Sequence, residues 1–262
     1  MTESDPPLLS LIDGAVAWLT LNRPRAGNSL AMELVEALRA KFADLAARSD
    51  IKVIVLAGAG GRIFSAGHDL NEFNGQDDMD FLARDFAGIA ALMQQIMAQP
   101  QIVIAKVEGV ATAAGCELVA ACDLALASST ARFGVPGVNI GFWCHTPQVP
   151  LSRTVGRKAA MMMLATGKLF PADHALSIGL INAVHEPEAL DAAVDALAAE
   201  IASKAGSVLR RGKASFAQQA ALPLAGAYDF ARAQALENIV DPDAREGIAA
   251  FLEKRQPDWP GG

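Results

Sequence analysis

Short apolar runs alternate with amphipathic stretches from Leu8 to Ala127, and past Pro147 the strand-like runs nearly cease. Leu8–Ile12 and Val16–Leu21 flank Asp13-Gly14, a pair suited to a tight turn, so they predict a β-hairpin. Ser29 is expected to cap a helix whose Leu34, Leu38, Phe42 and Leu45 recur at helical spacing. Ile51–Ala57 reads as a buried strand ended by Gly58 to Gly61. The alternation continues with a helix over Phe81–Met97 and strands over Ile102–Val107 and Asp123–Ala127. A small-residue turn, Gly109 to Gly115, enters a short helix between those strands. Beyond Pro147 come helices over Pro147–Val155, Arg157–Thr166 and Pro171–Ile178, then four longer amphipathic stretches to Arg255. Asn182–His185 is expected as one further short strand. This order predicts an α/β core across residues 1–200 and a helical region across 201–262 that packs on the core or on a neighbouring subunit.

Composition narrows the function classes. With 52% hydrophobic residues the chain can build a sizeable core, and its formal net charge of -7 argues against a nucleic-acid partner. No apolar stretch is long enough to span a bilayer. Met1–Pro7 is acidic and shows no secretory pattern, so the cytoplasm is the expected compartment. Three cysteines make no disulfide framework, and the four histidines lack ligand spacing, so no metal site is expected. Gly58 to Gly61 lacks the Lys-Ser/Thr of a phosphate loop.

Two small-residue turns carry the chemistry. Arg62-Ile-Phe-Ser-Ala-Gly-His-Asp-Leu70 and Glu108-Gly-Val-Ala-Thr-Ala-Ala-Gly-Cys-Glu-Leu118 each follow a buried strand and present backbone N–H groups with few bulky side chains in the way. Taken alone, the first reads as a strand-to-helix loop that needs glycine and the second as a helix start packed tightly on a strand. Two such donors converging on one point would form an oxyanion hole, and a helix beginning near Ala114 would add its positive end.

These segments, with Leu21–Arg25, Cys122-Asp123, Arg132–Gly134, Gly156–Lys158, Ala175–Gly179 and Glu246–Arg255, resemble the crotonase (enoyl-CoA hydratase/isomerase) superfamily over nearly the whole chain. The resemblance implies a ClpP/crotonase-like fold, a spiral of ββα units with a helical C-terminal trimerisation region, assembled as a homotrimer or hexamer. It implies an acyl-CoA thioester as substrate, with coenzyme A part of that substrate and no separate cofactor. It places the oxyanion donors at the N–H groups of His68 and Ala114, with Gly115 beside them. Arg25, Ala66 and Leu70 fall on the strip that grips the CoA moiety, and Phe251 and Lys254 on a C-terminal pair that closes the adenine end.

Hydration of a 2-enoyl thioester uses two carboxylates about one water. Glu117 matches the first, although a Glu in the first turn of a helix is favoured by the macrodipole whatever its chemistry. The position of the second is Gly137, which leaves double-bond isomerisation, decarboxylation or mere acyl-CoA binding as alternatives. The Ser65–Asp69 form resembles a decarboxylating branch of the family, which needs only an oxyanion hole and a later proton source. Trp143, Cys144 and His145 fall where relatives place varied acyl-site residues. In an extended strand Cys144 and His145 would face opposite ways, so one of them is expected at the acyl pocket.

Overall fold

The computed structural model describes residues 5–260. Strand β1 (Leu8–Asp13) turns at Gly14 into β2 (Val16–Leu21), the antiparallel hairpin expected from Asp13-Gly14. After helix α1 (Met32–Ala46) comes β3 (Val53–Gly58), whose first four residues are fully buried, parallel to β2. A three-residue strand, β4 (Ile63–Ser65), follows, then the short α2 (Leu70–Phe73) and the long α3 (Met79–Ala98). The pattern recurs as β5 (Ile102–Val107), β6 (Val110–Thr112) and α4 (Ala114–Ala121). It recurs again as β7 (Leu124–Ser128) and β8 (Arg132–Gly134), followed by α5 (Gln148–Thr154) and α6 (Arg157–Thr166). The chain then runs through β9 (Phe170–Pro171), α7 (Ala172–Ser177), β10 (Ala183–His185) and α8 (Pro187–Ala202). Helices α9 (Gly206–Gln219), α10 (Leu224–Ile239) and α11 (Pro242–Glu253) close it.

Each turn of this spiral gives one strand to each of two sheets and then a helix. The larger sheet has the order β1-β2-β3-β5-β7-β10 and the smaller β4-β6-β8-β9. The smaller sheet corrects the sequence reading, which treats Ile63–Ser65 and Val110–Thr112 as parts of turns. Strands of two or three residues are too short to show a period.

The apolar face of the larger sheet meets α1, α3 and α4 in a core that includes Leu19, Leu21, Leu38, Phe42, Ile89 and Leu118. Its other face packs Val53, Val55 and Ile104 against Leu190, Val194 and Ala198 of α8. Ser29 does not cap α1. The N-cap is Ala31 without a side-chain bond, because the Ser29 hydroxyl donates instead to Asp69, 3.0 Å away. Among the described residues no helix is long and apolar enough to cross a membrane.

Helix α9 is tied to the core through the Lys213 ammonium, with Arg210 donating to Ser49 O as a further link. Lys213 Nζ donates to Asp123 Oδ2 at 2.6 Å and to the carbonyls of Gln101 and Ile96 at 3.0 and 3.3 Å. Asp123 Oδ2 also accepts from the Val103 N–H at 2.7 Å, so the pair joins α9 to β5 and to the head of β7. Asp123 is partly exposed, so the carboxylate left behind is partly solvated, and Lys213→Ala should cost about 1.5–3 kcal/mol in denaturant unfolding through the lost charge-assisted hydrogen bonds. A loss below about 1 kcal/mol would mean that α9 is held by its apolar contacts instead.

Candidate active site

A polar clamp fixes the first small-residue turn. Asp69 receives the Ser29 hydroxyl and the Arg23 guanidinium (2.9 Å), and accepts from the Asn71 N–H as the N-cap of α2. Burial opposes the charge on Asp69, but these hydrogen bonds outweigh it and hold the carboxyl below its ordinary range. Two backbone bonds complete the clamp: Leu30 N–H to Gly67 O at 2.7 Å and Ala66 N–H to Gly27 O at 2.9 Å. The bridge between Leu30 and His68 uses the Gly67 carbonyl, leaving the His68 N–H out of that pairing.

The second turn lies directly against the first. A Cβ placed on Gly67 would stand 2.8 Å from the Ala114 nitrogen, so the backbones of the two segments nearly touch. Ala114 is the first residue of α4, and its N–H has no acceptor within the helix. Ala113 before it adopts φ 49° and ψ -121°, a conformation that favours glycine, held by its N–H bond to Gly134 O at 2.9 Å. Gly115 packs on β4: a Cβ there would lie 2.1 Å from Ser65 O, so no larger residue fits.

Glu117 sits one turn into α4 and is 2% exposed. Its carboxyl is pushed up to about 7 by burial, against the one bond that it accepts, from Thr146 Oγ1 at 3.1 Å. A group poised near neutrality can give or take a proton at little cost. Thr146 borders a cavity of about 560 Å³ walled by Ala66, His68, Leu70, Phe73, Phe86 and Phe142, with Gly137, Cys144 and His145 completing the lining. The walls are mostly apolar and aromatic. Phe86 stacks at 5.6 Å on Phe73 and at 6.1 Å on Phe142.

The enoyl-CoA hydratase/isomerase family pattern matches residues 12–262. This chain belongs to that family. It is 42% identical over 246 residues to zebrafish (Danio rerio) enoyl-CoA hydratase domain-containing protein 3, mitochondrial, covering 94% of this chain and 85% of the relative. The structure of an enoyl-CoA hydratase from Mycobacterium smegmatis superposes with a TM-score of 0.95 at 44% identity, over 97% of this chain and 99% of that one. The human enoyl coenzyme A hydratase domain-containing protein 3 gives 0.94 at 38% identity, covering 97% and 100%. The cytoplasmic expectation gains no support here, since the vertebrate relatives are named as mitochondrial.

Within this family fold, His68, Ala66, Leu70, Gly137, Cys144 and His145 gather round one cavity, with Ala114 and Glu117 beside it. Arg25 lies in an adjoining hollow of about 390 Å³ with Arg62, which the sequence reading passed over. The two concavities meet where Ala66 bonds Gly27. Phe251 and Lys254 border neither, and Phe251 is 82% exposed, so the single chain does not bring them to the site. Trp143 is not among the cavity's lining residues: it packs on the core and donates to Gln148 Oε1 at 2.9 Å. Residues 142–144 are irregular and 145–147 turn into α5 instead of forming an extended strand, and Cys144 and His145 both border the cavity, where one was expected. Burial raises the Cys144 thiol above its ordinary range and keeps it protonated.

The space at Gly137 is closed. A Cβ on Gly137 would lie 2.4 Å from Phe142 O and 2.9 Å from Cys144 Sγ, and the Phe142 N–H donates to Gly137 O at 3.0 Å. A side chain introduced by Gly137→Glu therefore has no room. Other wall residues escaped the sequence reading: Phe73, Phe86, Thr146 and, behind His68, Asp85. Asp85 alone left a readable sign, a carboxylate in register with the buried Ile89, Leu92, Met93 and Ile96 of α3.

The raised carboxyl of Glu117 links stability to pH. Its folded value, about 7, exceeds the ordinary 4.5, so folding binds a proton between the two, and stability falls as pH rises through that window. Glu117→Gln removes the cost of ionising the buried group. The variant should unfold at higher temperature than wild type at pH 8, by up to about 3 kcal/mol, with the gap closing by pH 4. A gap of the same size at both pH values would mean that Glu117 ionises as freely folded as unfolded.

Proposed function

We propose that this protein is an enoyl-CoA hydratase/isomerase-type lyase acting on an acyl-CoA thioester. The N–H groups of His68 and Ala114 hold the thioester oxygen, and Glu117 moves the proton. The observation that carries this is the meeting of a free helix-start N–H at Ala114 with a buried, near-neutral Glu117 one turn further along α4, beside an apolar cavity. In such a site a donor aimed at a developing oxyanion stabilises it by about 3 kcal/mol. Coenzyme A enters as part of the substrate, and the Arg25–Arg62 hollow suits its phosphates. Exposed Phe216, Leu224, Tyr228, Leu236, Phe251 and Leu252 on α9–α11 support a homotrimer or hexamer. In such an assembly Phe251 and Lys254 would close a neighbour's site.

One observation favours a second reaction within this reading. Gly137 offers no side chain and no room for one, so two-carboxylate hydration lacks a partner there. Decarboxylation and double-bond isomerisation pass through the same thioester enolate and do not need that carboxylate. A non-catalytic acyl-CoA binder is the rival, and the near-neutral Glu117 counts against it.

Turnover of a panel of 2-enoyl-, 3-enoyl- and 2-carboxyacyl-CoA thioesters separates these readings. Wild type should turn over at least one, and Glu117→Gln should lower kcat on it by about 10²- to 10⁴-fold. Ala114→Pro deletes one donor and should abolish turnover, while Ala114→Gly keeps it. Crotonyl-CoA hydration at the rate of two-carboxylate relatives would overturn the reading of Gly137, and no turnover of any member would leave the binder.

A further inference from the structure

We propose that His68 and Asp85 form a proton-relay dyad in the wall of the acyl cavity, with His68 Nδ1 exchanging the proton with the bound acyl chain. The proposal rests on the acyl-CoA reading above and supplies the second proton-transfer group that Gly137 does not.

Geometry carries it. His68 Nε2 and Asp85 Oδ2 stand 3.5 Å apart, an ion-pair distance without a formed hydrogen bond, and neither atom has a hydrogen-bond partner among the described residues. Asp85 is 3% exposed and takes a place in the apolar stripe of α3 where packing alone calls for a Leu or Ile. An under-partnered carboxyl at such a place is costly, and such groups cluster at functional sites. The ring of His68 is held by Phe73 at 5.5 Å and Phe86 at 5.1 Å, and the residue lines the cavity. With Nε2 turned to Asp85, Nδ1 is the nitrogen left for a ligand.

The dyad has two states of low charge cost. In one, the Asp85 carboxyl donates to Nε2 and the proton of the ring is on Nδ1. In the other, Nε2 carries the proton toward the Asp85 carboxylate, and Nδ1 presents a lone pair. Passing from the first to the second, Nδ1–H gives its proton to the enolate carbon while the carboxyl proton moves to Nε2. The enolate electron pair becomes the new C–H bond, the thioester carbonyl reforms, and the negative charge ends on Asp85. A proton from water restores the first state after product leaves. No imidazolium forms in the aromatic wall.

The electrostatics agree. Burial holds the His68 imidazolium down to about 4, and burial followed by the charge of Glu72 lifts Asp85 to about 6, so the proton of the pair belongs to Asp85. Glu72 on α2 is the charged neighbour that shifts Asp85, and none on α1 or α4 does. Glu117, Cys144 and His145 occupy or back the other wall. Asp85 is raised above its ordinary value, so the donor state prevails below about pH 6 and gives way to the acceptor state above it.

Nitrogen-15 NMR of the full chain tests the dyad without substrate. In wild type the His68 proton should move from Nδ1 to Nε2 with a midpoint near pH 6. In Asp85→Asn, whose amide can donate to Nε2 but cannot release a proton, Nδ1–H should persist at every pH. On the best substrate of the panel, Asp85→Asn and His68→Gln should each lower kcat about 10²-fold with KM nearly unchanged, since both keep the backbone donors. A wild-type tautomer that ignores pH overturns the dyad, as does wild-type kcat in Asp85→Asn. If Asp85→Asn stays active while Glu117→Gln is dead, the dyad fails and the acyl-CoA reading stands. If wild type turns over nothing, that reading fails, and the tautomer switch alone decides the dyad.

Discussion

The first turn of α4 lies against β4 and the 66–68 loop at backbone contact distance, and the geometry of the site follows from that approach. Ser65 O stands where a Cβ of Gly115 would go, and Gly67 stands against the Ala114 nitrogen. A larger residue at 67 or 115 would separate the two segments and with them the two N–H groups. Ala113 is held at positive φ because its own N–H is tied to Gly134 on the smaller sheet. Such strain costs on the order of 1–3 kcal/mol and persists only where the surroundings over-determine the backbone. Here both sheets do so, one through β8 and one through the β5–β7 pair that brackets α4.

Three buried carboxyls near that junction show how partner count sets behaviour. Asp69 collects a guanidinium, a hydroxyl and an N–H, and is held ionised. Glu117 has one hydroxyl and rises to about 7. Asp85 Oδ2 faces an imidazole 3.5 Å away with no hydrogen-bond partner among the described residues, and the carboxyl rises to about 6. The fully partnered group serves as a clamp on the His68 loop, away from the cavity. The two under-partnered groups stand behind cavity-lining residues, one behind Thr146 and one behind His68. Environments that push like groups apart in this way separate structural from proton-moving roles.

The larger sheet and the long helices were legible because each has enough residues to show a period. Ile102–Val107 and Phe81–Met97 are found almost where the pattern puts them. The smaller sheet was not, since β4, β6, β8 and β9 have two or three residues each and are made by pairing across the chain. The cap expected at Ser29 failed for a related reason: the competing acceptor, Asp69, lies 40 residues away. In the site, the backbone donors lay in contiguous motifs and could be read. The aromatic wall could not, because Phe73, Phe86 and Phe142 come from separate elements and meet only after packing. Cys144 and His145 were misjudged by assuming a strand, where Gly141 at positive φ ends a short 3-10 helix (Pro136–Ile140) and the chain beyond it is irregular.

What the closed space at Gly137 implies follows from the cavity's polarity. The Phe142 carbonyl oxygen and Cys144 Sγ crowd the Cβ position of Gly137, which on the proposed reading is where a second carboxylate would start, so this wall offers no carboxylate. In a low-dielectric cavity two fixed N–H dipoles act on an oxyanion more strongly than they would in water, and an added carboxylate would oppose the same charge. On the proposed reading the missing side chain therefore alters the balance rather than simply weakening the enzyme. Stabilisation of the enolate is favoured, and activation of water, which needs a charged base and room for the water, is disfavoured. On that reading the scaffold favours reactions in which the only atoms moved inside the cavity are the acyl chain's own atoms and single protons.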